Sequence, residues 1–142
     1  QTGVSAGGKG INVSRAPQKL QLKSLVLGIE AGITGQRIKE ILNQEKTPYC
    51  FIKVPGETRK SLTTINLQTS QIERVFEKGP KVSVPQQKLF LKKFKAFLSS
   101  SSWVVLSGRA AEGMADSFAG TLIATAEKKL AAGEVVLRYL GS

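Results

Sequence analysis

Apolar positions change between strand-like and helix-like spacing along the chain. The run "SLVLGI", from Ser24 to Ile29, is short and continuously apolar, as expected of a buried strand. The segment "TGQRIKEILNQE", residues 34–45, is predicted to be a helix with Thr34 as its N-cap. Because strand and helix signals go on alternating along most of the length, the pattern favours an α/β layered fold with a largely parallel sheet.

The middle third departs from this alternation. Three short β-rich runs, "YCFIKV", "SLTTINL" and "IERVF", follow one another with only the turn-forming "PGET" and the polar "QTSQ" between them. No helical segment intervenes. This stretch is therefore predicted to be antiparallel or edge structure, at about residues 48–77.

A second strongly patterned region begins at "SVPQQ". Ser83 is the predicted N-cap of a helix, with Pro85 in its first turn and Gln86 completing a capping box. One face of this helix is apolar and the other is basic: Phe90, Phe94, Phe97 and Leu98 against Lys88, Lys92, Lys93 and Lys95. The pattern is typical of a surface helix packed on a core.

The last third repeats the strand-then-helix order. Trp103 to Ser107 is a predicted buried strand, which we expect to lie beside residues 24–29 in one parallel sheet covered by helices. Asp116 can cap a following helix, and "GEVVLRYL" is a last strand candidate. The apolar positions of that helix share one face: Phe118, Leu122, Ala126 and Leu130.

Composition excludes several classes of protein. The 142 residues have the length of one domain, and 41% hydrophobic content is enough for a core. No apolar run approaches the roughly 20 residues of a membrane span, and no signal-peptide pattern opens the chain, so we expect a cytoplasmic protein. With one cysteine and no histidine, neither an internal disulfide nor a zinc site nor a Ser-His or Cys-His pair can form.

The net charge of +11 raises the alternative of a basic nucleic-acid-binding domain. The distribution of the charges argues against nucleic acid as a partner. The densest basic run falls on the solvent face of the predicted helix at residues 86–98, and no aromatic side chain is interleaved with the lysines in a way that would stack bases.

Three glycine-rich loops stand where the ligands of open α/β sheets collect, at the carboxyl ends of strands where loops lead into helices. They are "SAGGKG" before the first helix, "EAGITG" after the first strand and "SGRAAEG" after the Trp103 strand. Glycine lets backbone N–H groups approach a polar ligand closely. The alternative is that such loops need glycine for their turns alone. Pro17, which follows the first of these loops, falls inside the first predicted helix and removes one of its hydrogen bonds.

Four motifs in order, "AGGKGINVSR", "GITG", "GETR" and "VVLSG", closely resemble the carbohydrate kinase family with the ribokinase-like fold. The lysine in the first motif is most similar to the phosphosugar branch, which contains 1-phosphofructokinase and tagatose-6-phosphate kinase. The resemblance extends to about Val136. It implies a three-layer α/β/α fold, incomplete here, with residues 1–142 as a partial, substrate-binding sugar-kinase domain and residues 48–77 as part of a small β lid or an edge.

The resemblance also implies a set of substrate-binding residues. Three features are involved: the loop opening the first helix, an arginine in "GETR" that grips the phosphate already on the substrate, and the end of the Trp103 strand. The residues are Gly8, Lys9, Gly10, Asn12, Arg59, Ser107 and Gly108. An amide can donate to and accept from sugar hydroxyls, and a guanidinium fork matches phosphate oxygens.

Each assignment has an alternative without function. Asn12 could satisfy its own backbone in the first turn, Arg59 could be a surface arginine at a strand end, and Ser107 with Gly108 could form a plain turn.

By the same resemblance, the parent enzyme would use ATP and Mg²⁺ to convert fructose 1-phosphate, fructose 6-phosphate or tagatose 6-phosphate to a bisphosphate, and could form a homodimer through the lid. The three substrates remain open alternatives. In the family, the catalytic aspartate and the ATP-binding half would follow Ser142. The lone aspartate, Asp116, is better explained as a helix cap, so no catalytic residue is assigned and the fragment is expected to be inactive alone.

A non-catalytic phosphosugar-binding module is the other hypothesis for the function. It would use the same loops as a sensor. The coding sequence downstream of Ser142 discriminates between the two hypotheses.

Overall fold

Helices and strands alternate at both ends of the chain, and a hairpin stands between them. The structure, a computed structural model, describes residues 3–114, 116–130 and 136–140. Its elements are α1 Lys9–Lys19, β1 Val26–Glu30, α2 Gly32–Gln44, β2 Tyr49–Lys53, β3 Ser61–Ile65, β4 Ile72–Phe76, α3 Val84–Leu98, β5 Trp103–Ser107, α4 Asp116–Leu130 and β6 Val136–Leu140. None of the described helices is long and apolar enough to cross a bilayer.

Parallel pairing joins the strands that a helix connects. Strand β1 pairs with β2 through the α2 crossover, with Val26 opposite Tyr49. Strand β5 pairs with β6 through α4, with Trp103 opposite Val136. The run "YCFIKV" therefore belongs with β1, whereas β3 and β4 form an antiparallel hairpin with Ser61 opposite Phe76. The α/β architecture with parallel strands is confirmed.

The expectation that β1 and β5 are neighbours in one sheet is wrong. Among the described residues they belong to separate two-stranded sheets. They nevertheless share a core, because Leu27 of β1 and Val104 of β5 pack on the cluster that contains Phe94, and α1 contacts both strands. Apolar periodicity specifies which faces are buried, and it leaves open which strand edges form hydrogen bonds.

Three buried clusters hold the layers together. The first joins the loop before α1 to α1, β1 and α2: Ala6, Ile11, Val26 and Leu42. The second lies between α3, α4 and the strands: Phe94, Leu98, Leu122 and Ala126. The third, Ala31, Val54 and Val82, gathers the segments that follow β1 and β2 and precede α3. The third cluster thus positions the loops at the carboxyl ends of the strands.

Helix α3 follows its sequence pattern closely. Gln86 Oε1 accepts hydrogen bonds from both the N–H and the hydroxyl of Ser83, each at 2.8 Å, as the predicted capping box requires. Phe94 and Leu98 are buried. The four lysines that the pattern placed on the opposite side, Lys88, Lys92, Lys93 and Lys95, are exposed.

Other element ends differ from expectation. Helix α2 begins at Gly32 with Ala31 at the N-cap, so Thr34 is not its cap. Pro17 is accommodated because α1 ends two residues later, and its carbonyl accepts the N–H of Leu20 at 2.9 Å. Helix α4 begins at Asp116, whose predicted capping role falls outside the described residues, as does the side chain of Leu130.

Strand β5 is less buried than its composition suggested. Trp103 is 68% exposed and Val105 is 41% exposed, while Val104 and Leu106 pack on the α3–α4 cluster. The strand therefore has one covered face, in keeping with the two-residue period of strand side chains. The prediction of a fully buried strand is wrong for the face that carries Trp103.

Candidate functional site

The glycine loop before α1 borders open space. Gly8 is the N-cap of α1 with φ 108°, a backbone conformation that favours glycine. Its carbonyl accepts the N–H of Asn12 at 3.0 Å. A Cβ added at Gly7 or Gly8 would meet nothing within 4 Å, whereas one at Gly10 would lie 3.9 Å from the carbonyl oxygen of Ser107. The loop is therefore open on one side and rests against the end of β5.

Ser107 carries an unsatisfied hydroxyl at this junction. Its Oγ is buried and has no hydrogen-bond partner among the described residues. The next residue, Gly108, has φ 103° and open space where a side chain would stand. Because a buried polar atom without a partner is costly, this hydroxyl is available for a polar group that the described chain does not supply. The structure thus brings Gly10 and Ser107, two of the predicted site residues, close together.

Lys9 is the first residue of α1 and is exposed. A cation at a helix N-terminus is unfavourable with the helix dipole, which favours an anion there. An anionic ligand at this end of α1 would interact favourably both with the lysine charge and with the backbone N–H groups of the first turn.

The side chain of Asn12 is held by Arg15, which is not among the predicted site residues. Arg15 Nη1 donates to Asn12 Oδ1 at 2.6 Å, and Arg15 Nη2 donates to the carbonyl of Ala6 at 2.8 Å. The guanidinium also forms two hydrogen bonds with the Glu45 carboxylate, at 3.1 and 2.8 Å. The amide oxygen of Asn12 therefore faces Arg15, and its NH₂ is the group left to donate to a ligand.

Arg15 connects three segments, since Ala6 precedes the glycine loop and Glu45 is the C-cap residue of α2. The spacing of three residues between Asn12 and Arg15 is a sequence signal for their contact. The partnership with Glu45 depends on the packing of α1 beside α2. The alternative hypothesis for Asn12 is a side chain bonded to its own backbone. In the structure its Oδ1 accepts a hydrogen bond from Arg15 instead.

The loop after β1, predicted as a ligand loop, is occupied by the chain itself. The Glu57 carboxylate accepts the N–H of Ile33 at 3.2 Å and that of Thr34 at 2.5 Å. The hydroxyl of Thr34 and then its N–H hold the pKa of Glu57 below its ordinary value of 4.5. Because Glu57 caps α2 from outside the helix, these two N–H groups are not free for a ligand.

The loop after β5 is fastened to the segment before α3. The N–H of Val82 donates to the carbonyl of Glu112 at 2.8 Å, and Gln87 Nε2 donates to the carbonyl of Gly113 at 2.8 Å. Gly113 has φ 86°, and a Cβ there would lie 2.6 Å from the carbonyl oxygen of Val82. Residues 111–114 are therefore packed closely on Val82, while Arg109 and Ala110 stay exposed.

Arg59 stands apart from the other predicted site residues. It is exposed, and it forms no hydrogen bond or ion pair with the described residues. Its chain neighbours are fixed, because the hydroxyl of Thr58 accepts the N–H of Ala31 at 2.8 Å. In the part of the chain described, no hydrogen bond or buried cluster links Arg59 to Gly8, Asn12 or Ser107.

No group of three histidine, cysteine, aspartate or glutamate side chains that could hold a metal ion occurs among the described residues. An open depression of about 360 Å³ is lined by Arg15, Gln18, Lys19 and Glu45. Arg15 and Glu45 are paired with each other, and Gln18 donates to Thr47 Oγ1 at 2.9 Å. The polar groups of this depression are largely satisfied, so it is not the candidate site.

Comparison with known proteins gives a consistent set of relatives. The 1-phosphofructokinase of Bacillus subtilis is 37% identical over 102 residues, which are 72% of this chain and 32% of that protein. A tagatose-6-phosphate kinase of Staphylococcus epidermidis is 26% identical over 129 residues, which are 91% of this chain and 41% of that protein. The chain thus spans about a third to two fifths of the length of these relatives. No protein-family model matches it.

Solved structures show the same fold. A protein of Thermotoga maritima, described as a possible 1-phosphofructokinase, superposes with a TM-score of 0.87 at 30% identity, over 98% of this chain and 43% of that one. Phosphofructokinase-2 of Escherichia coli, in complex with fructose-6-phosphate, superposes with a TM-score of 0.78 at 21% identity, over 96% of this chain and 44% of that one. Over the residues matched, the chain shares the ribokinase-like fold of these structures, and the relatives that it is similar to are sugar-phosphate kinases of the carbohydrate kinase family.

Proposed function

We propose that the chain is the sugar-phosphate-binding part of an ATP-dependent kinase that converts a hexose phosphate to a bisphosphate. The observation that carries the proposal is the junction of the α1 glycine loop with the end of β5. There an open loop, a cation at a helix N-terminus and the unpartnered hydroxyl of Ser107 occur together. These groups suit a ligand that presents hydroxyls and negative charge.

The residues divide into two recognition sets. Gly8, Lys9, Gly10 and Asn12, with Ser107 and Gly108, are proposed to hold the sugar, the amide of Asn12 being oriented by Arg15. Arg59, whose guanidinium has no described partner, is proposed to bind the phosphate already on the substrate. The candidate substrates are fructose 1-phosphate, fructose 6-phosphate and tagatose 6-phosphate.

ATP and Mg²⁺ are the proposed cofactors of the whole enzyme. The described residues do not fit a magnesium site, because they contain no cluster of three acidic or other metal-binding side chains. We therefore assign no step of phosphoryl transfer to this chain. Its proposed contribution is to bind and orient the substrate.

A titration of the ¹⁵N-labelled 142-residue chain by NMR tests the proposal. Adding each of the three hexose phosphates should shift the amide signals of Gly8, Gly10, Asn12, Ser107 and Gly108, and the shifts should saturate. Fructose and inorganic phosphate, as controls, should produce weaker effects, because each presents only half of the recognised groups. If these amides do not respond to any hexose phosphate, or if each hexose phosphate binds no more tightly than fructose does, the proposal of a sugar-phosphate site is wrong.

We further propose that a second copy of the chain covers the β3–β4 hairpin, which would form the lid. All ten residues of the two strands are exposed. An isolated two-stranded hairpin is marginally stable in water, so the exposed apolar side chains on the face of Ile65, Ile72 and Phe76 favour a covering partner. The large apolar side chains of this hairpin are 56 to 91% exposed: Leu62, Ile65, Leu67, Ile72, Val75 and Phe76.

Ile72→Lys should therefore convert a dimer to a monomer in sedimentation velocity at about 100 µM, because it adds a charge to the face shared by Ile65, Ile72 and Phe76. Thr64→Lys adds the same charge on the other face of the hairpin, opposite Glu73, and serves as the control. A wild-type chain that sediments as a monomer, or an Ile72→Lys variant that stays dimeric, contradicts the proposal.

A further inference from the structure

Two backbone clamps flank Arg59. On one side the N–H of Thr58 donates to the carbonyl of Ala31 at 3.0 Å, and the Thr58 hydroxyl bonds the N–H and the carbonyl of the same residue at 2.8 and 3.0 Å. Ala31 is buried, with 1% exposure. On the other side the N–H of Lys60 donates to the Glu77 carboxylate at 3.0 Å, and the N–H of Glu77 donates to the carbonyl of Lys60 at 3.0 Å.

Glu57 adds a third tie that reaches across to α2. Its carboxylate caps the N–H groups of Ile33 and Thr34, which lie 24 and 23 residues earlier in the chain. Gly32 makes room for it, because φ is 60° there and a Cβ would overlap the carboxylate. The first turn of α2 and the base of the hairpin are therefore held as one unit through Glu57 and Thr58.

The cap also decides where the charge of Glu57 lies. Only Thr58 separates Glu57 from Arg59 in the chain, so a released Glu57 carboxylate could reach the guanidinium of Arg59. A pair of this kind would neutralise the cation that a phosphate needs. At the N-terminus of α2 the carboxylate is instead stabilised by two N–H groups and the helix dipole, and Arg59 stays unpaired.

We infer that Glu57 is a positioning residue for Arg59: its capping of α2 fixes the base of the hairpin and leaves the arginine free to bind phosphate. The inference rests on the proposed function for the part that concerns phosphate. The part that concerns the backbone and charge of Arg59 is independent of any ligand.

The ligand-free test compares Glu57→Ala with Glu40→Ala, which removes an exposed glutamate of α2 that pairs with Arg37 at the surface. In ¹⁵N relaxation measurements on the 142-residue chain, Glu57→Ala should increase the motion of the Arg59 and Lys60 amides, while Glu40→Ala leaves them unchanged. Equal rigidity of Arg59 in the wild type and in Glu57→Ala would overturn the inference, whatever the chain binds.

The ligand test is a double-mutant cycle. Preference is measured as the ratio of dissociation constants for fructose and fructose 6-phosphate. In the wild-type background, Glu57→Ala should lower this ratio roughly three- to tenfold. In the Arg59→Ala background it should leave the ratio unchanged, since the effect acts through the arginine. An equal loss in both backgrounds would show a merely structural role for Glu57 and overturn the inference. A wild type without preference would contradict the proposed function, and the relaxation data would still decide the inference.

A pH series on the stability of the same variants gives a further readout. The hydroxyl and N–H of Thr34 lower the pKa of Glu57, and Lys60 contributes in the same direction. A lowered carboxyl pKa stabilises the fold above the ordinary value, and the stabilisation disappears as the pH falls through the lowered pKa. The difference in unfolding free energy between the wild type and Glu57→Gln should be constant from pH 7 to about pH 5 and shrink below that. A difference that does not change with pH would show that the carboxylate charge takes no part in the cap.

Discussion

Replacing Arg59 with alanine should weaken the binding of fructose 6-phosphate by roughly 10- to 100-fold and leave the binding of fructose unchanged. A charge-assisted hydrogen bond to phosphate contributes typically about 1.5 to 3 kcal/mol, which corresponds to this range of dissociation constants. Arg59 is exposed and has no partner among the described residues. Binding a phosphate therefore breaks no existing hydrogen bond or ion pair of the guanidinium with those residues.

The controls separate the geometry of the arginine from its charge. Arg59→Lys should recover only part of the affinity, because an ammonium group cannot reproduce two parallel hydrogen bonds. Lys53→Ala removes an exposed cation at the end of β2 and should have little effect. Isothermal titration calorimetry gives all the dissociation constants. If Arg59→Ala binds fructose 6-phosphate as well as the wild type does, the phosphate lies elsewhere.

Leu42→Ala should reduce the free energy of unfolding by about 2 to 5 kcal/mol, the range observed when a large side chain is truncated in a packed core. Leu42 is 0% exposed and belongs to the cluster formed with Ala6, Ile11 and Val26. Ala6 and Ile11 lie on either side of the Gly7–Gly10 loop. The cavity left by the truncated Leu42 side chain would therefore open beside Ala6 and Ile11, which support the loop.

Urea unfolding of the chain, followed by circular dichroism, measures the effect. Leu20→Ala is the matched control, because Leu20 is 70% exposed at the end of α1 and its truncation should change stability by no more than about 0.5 kcal/mol. A loss below 1 kcal/mol in Leu42→Ala would mean that the α1–α2 cluster does not hold the structure together.

Local patterns in the sequence predicted elements whose causes are themselves local. The α3 helix begins at its capping box, since Ser83 and Gln86 are only three residues apart and need no distant partner. Strand β5 occupies Trp103–Ser107 as predicted. The glycines before α1 indicated a loop that tolerates positive φ, and Gly8 has a φ of 108°.

Long-range partners could not be predicted in the same way. Thr34 has the residue type of a helix cap, yet α2 is capped by Glu57, which reaches it only because the chain returns after β2. Arg15 was recognisable as a neighbour of Asn12, but its bond to Glu45 depends on two helices packing side by side. Trp103 is exposed although its strand is apolar, because only one face of β5 is covered.

The sequence by itself indicated the order of helices and strands and the α/β character of the fold. These follow from backbone propensity and from the periods at which apolar side chains repeat. Only the tertiary structure decided that β1 and β5 share a core without pairing, that the loop after β1 is filled by Glu57, and that Ser107 keeps an unsatisfied hydroxyl beside the glycine loop. The reason is that hydrogen-bond partners are chosen by proximity in space, and periodicity specifies only which face of an element is buried.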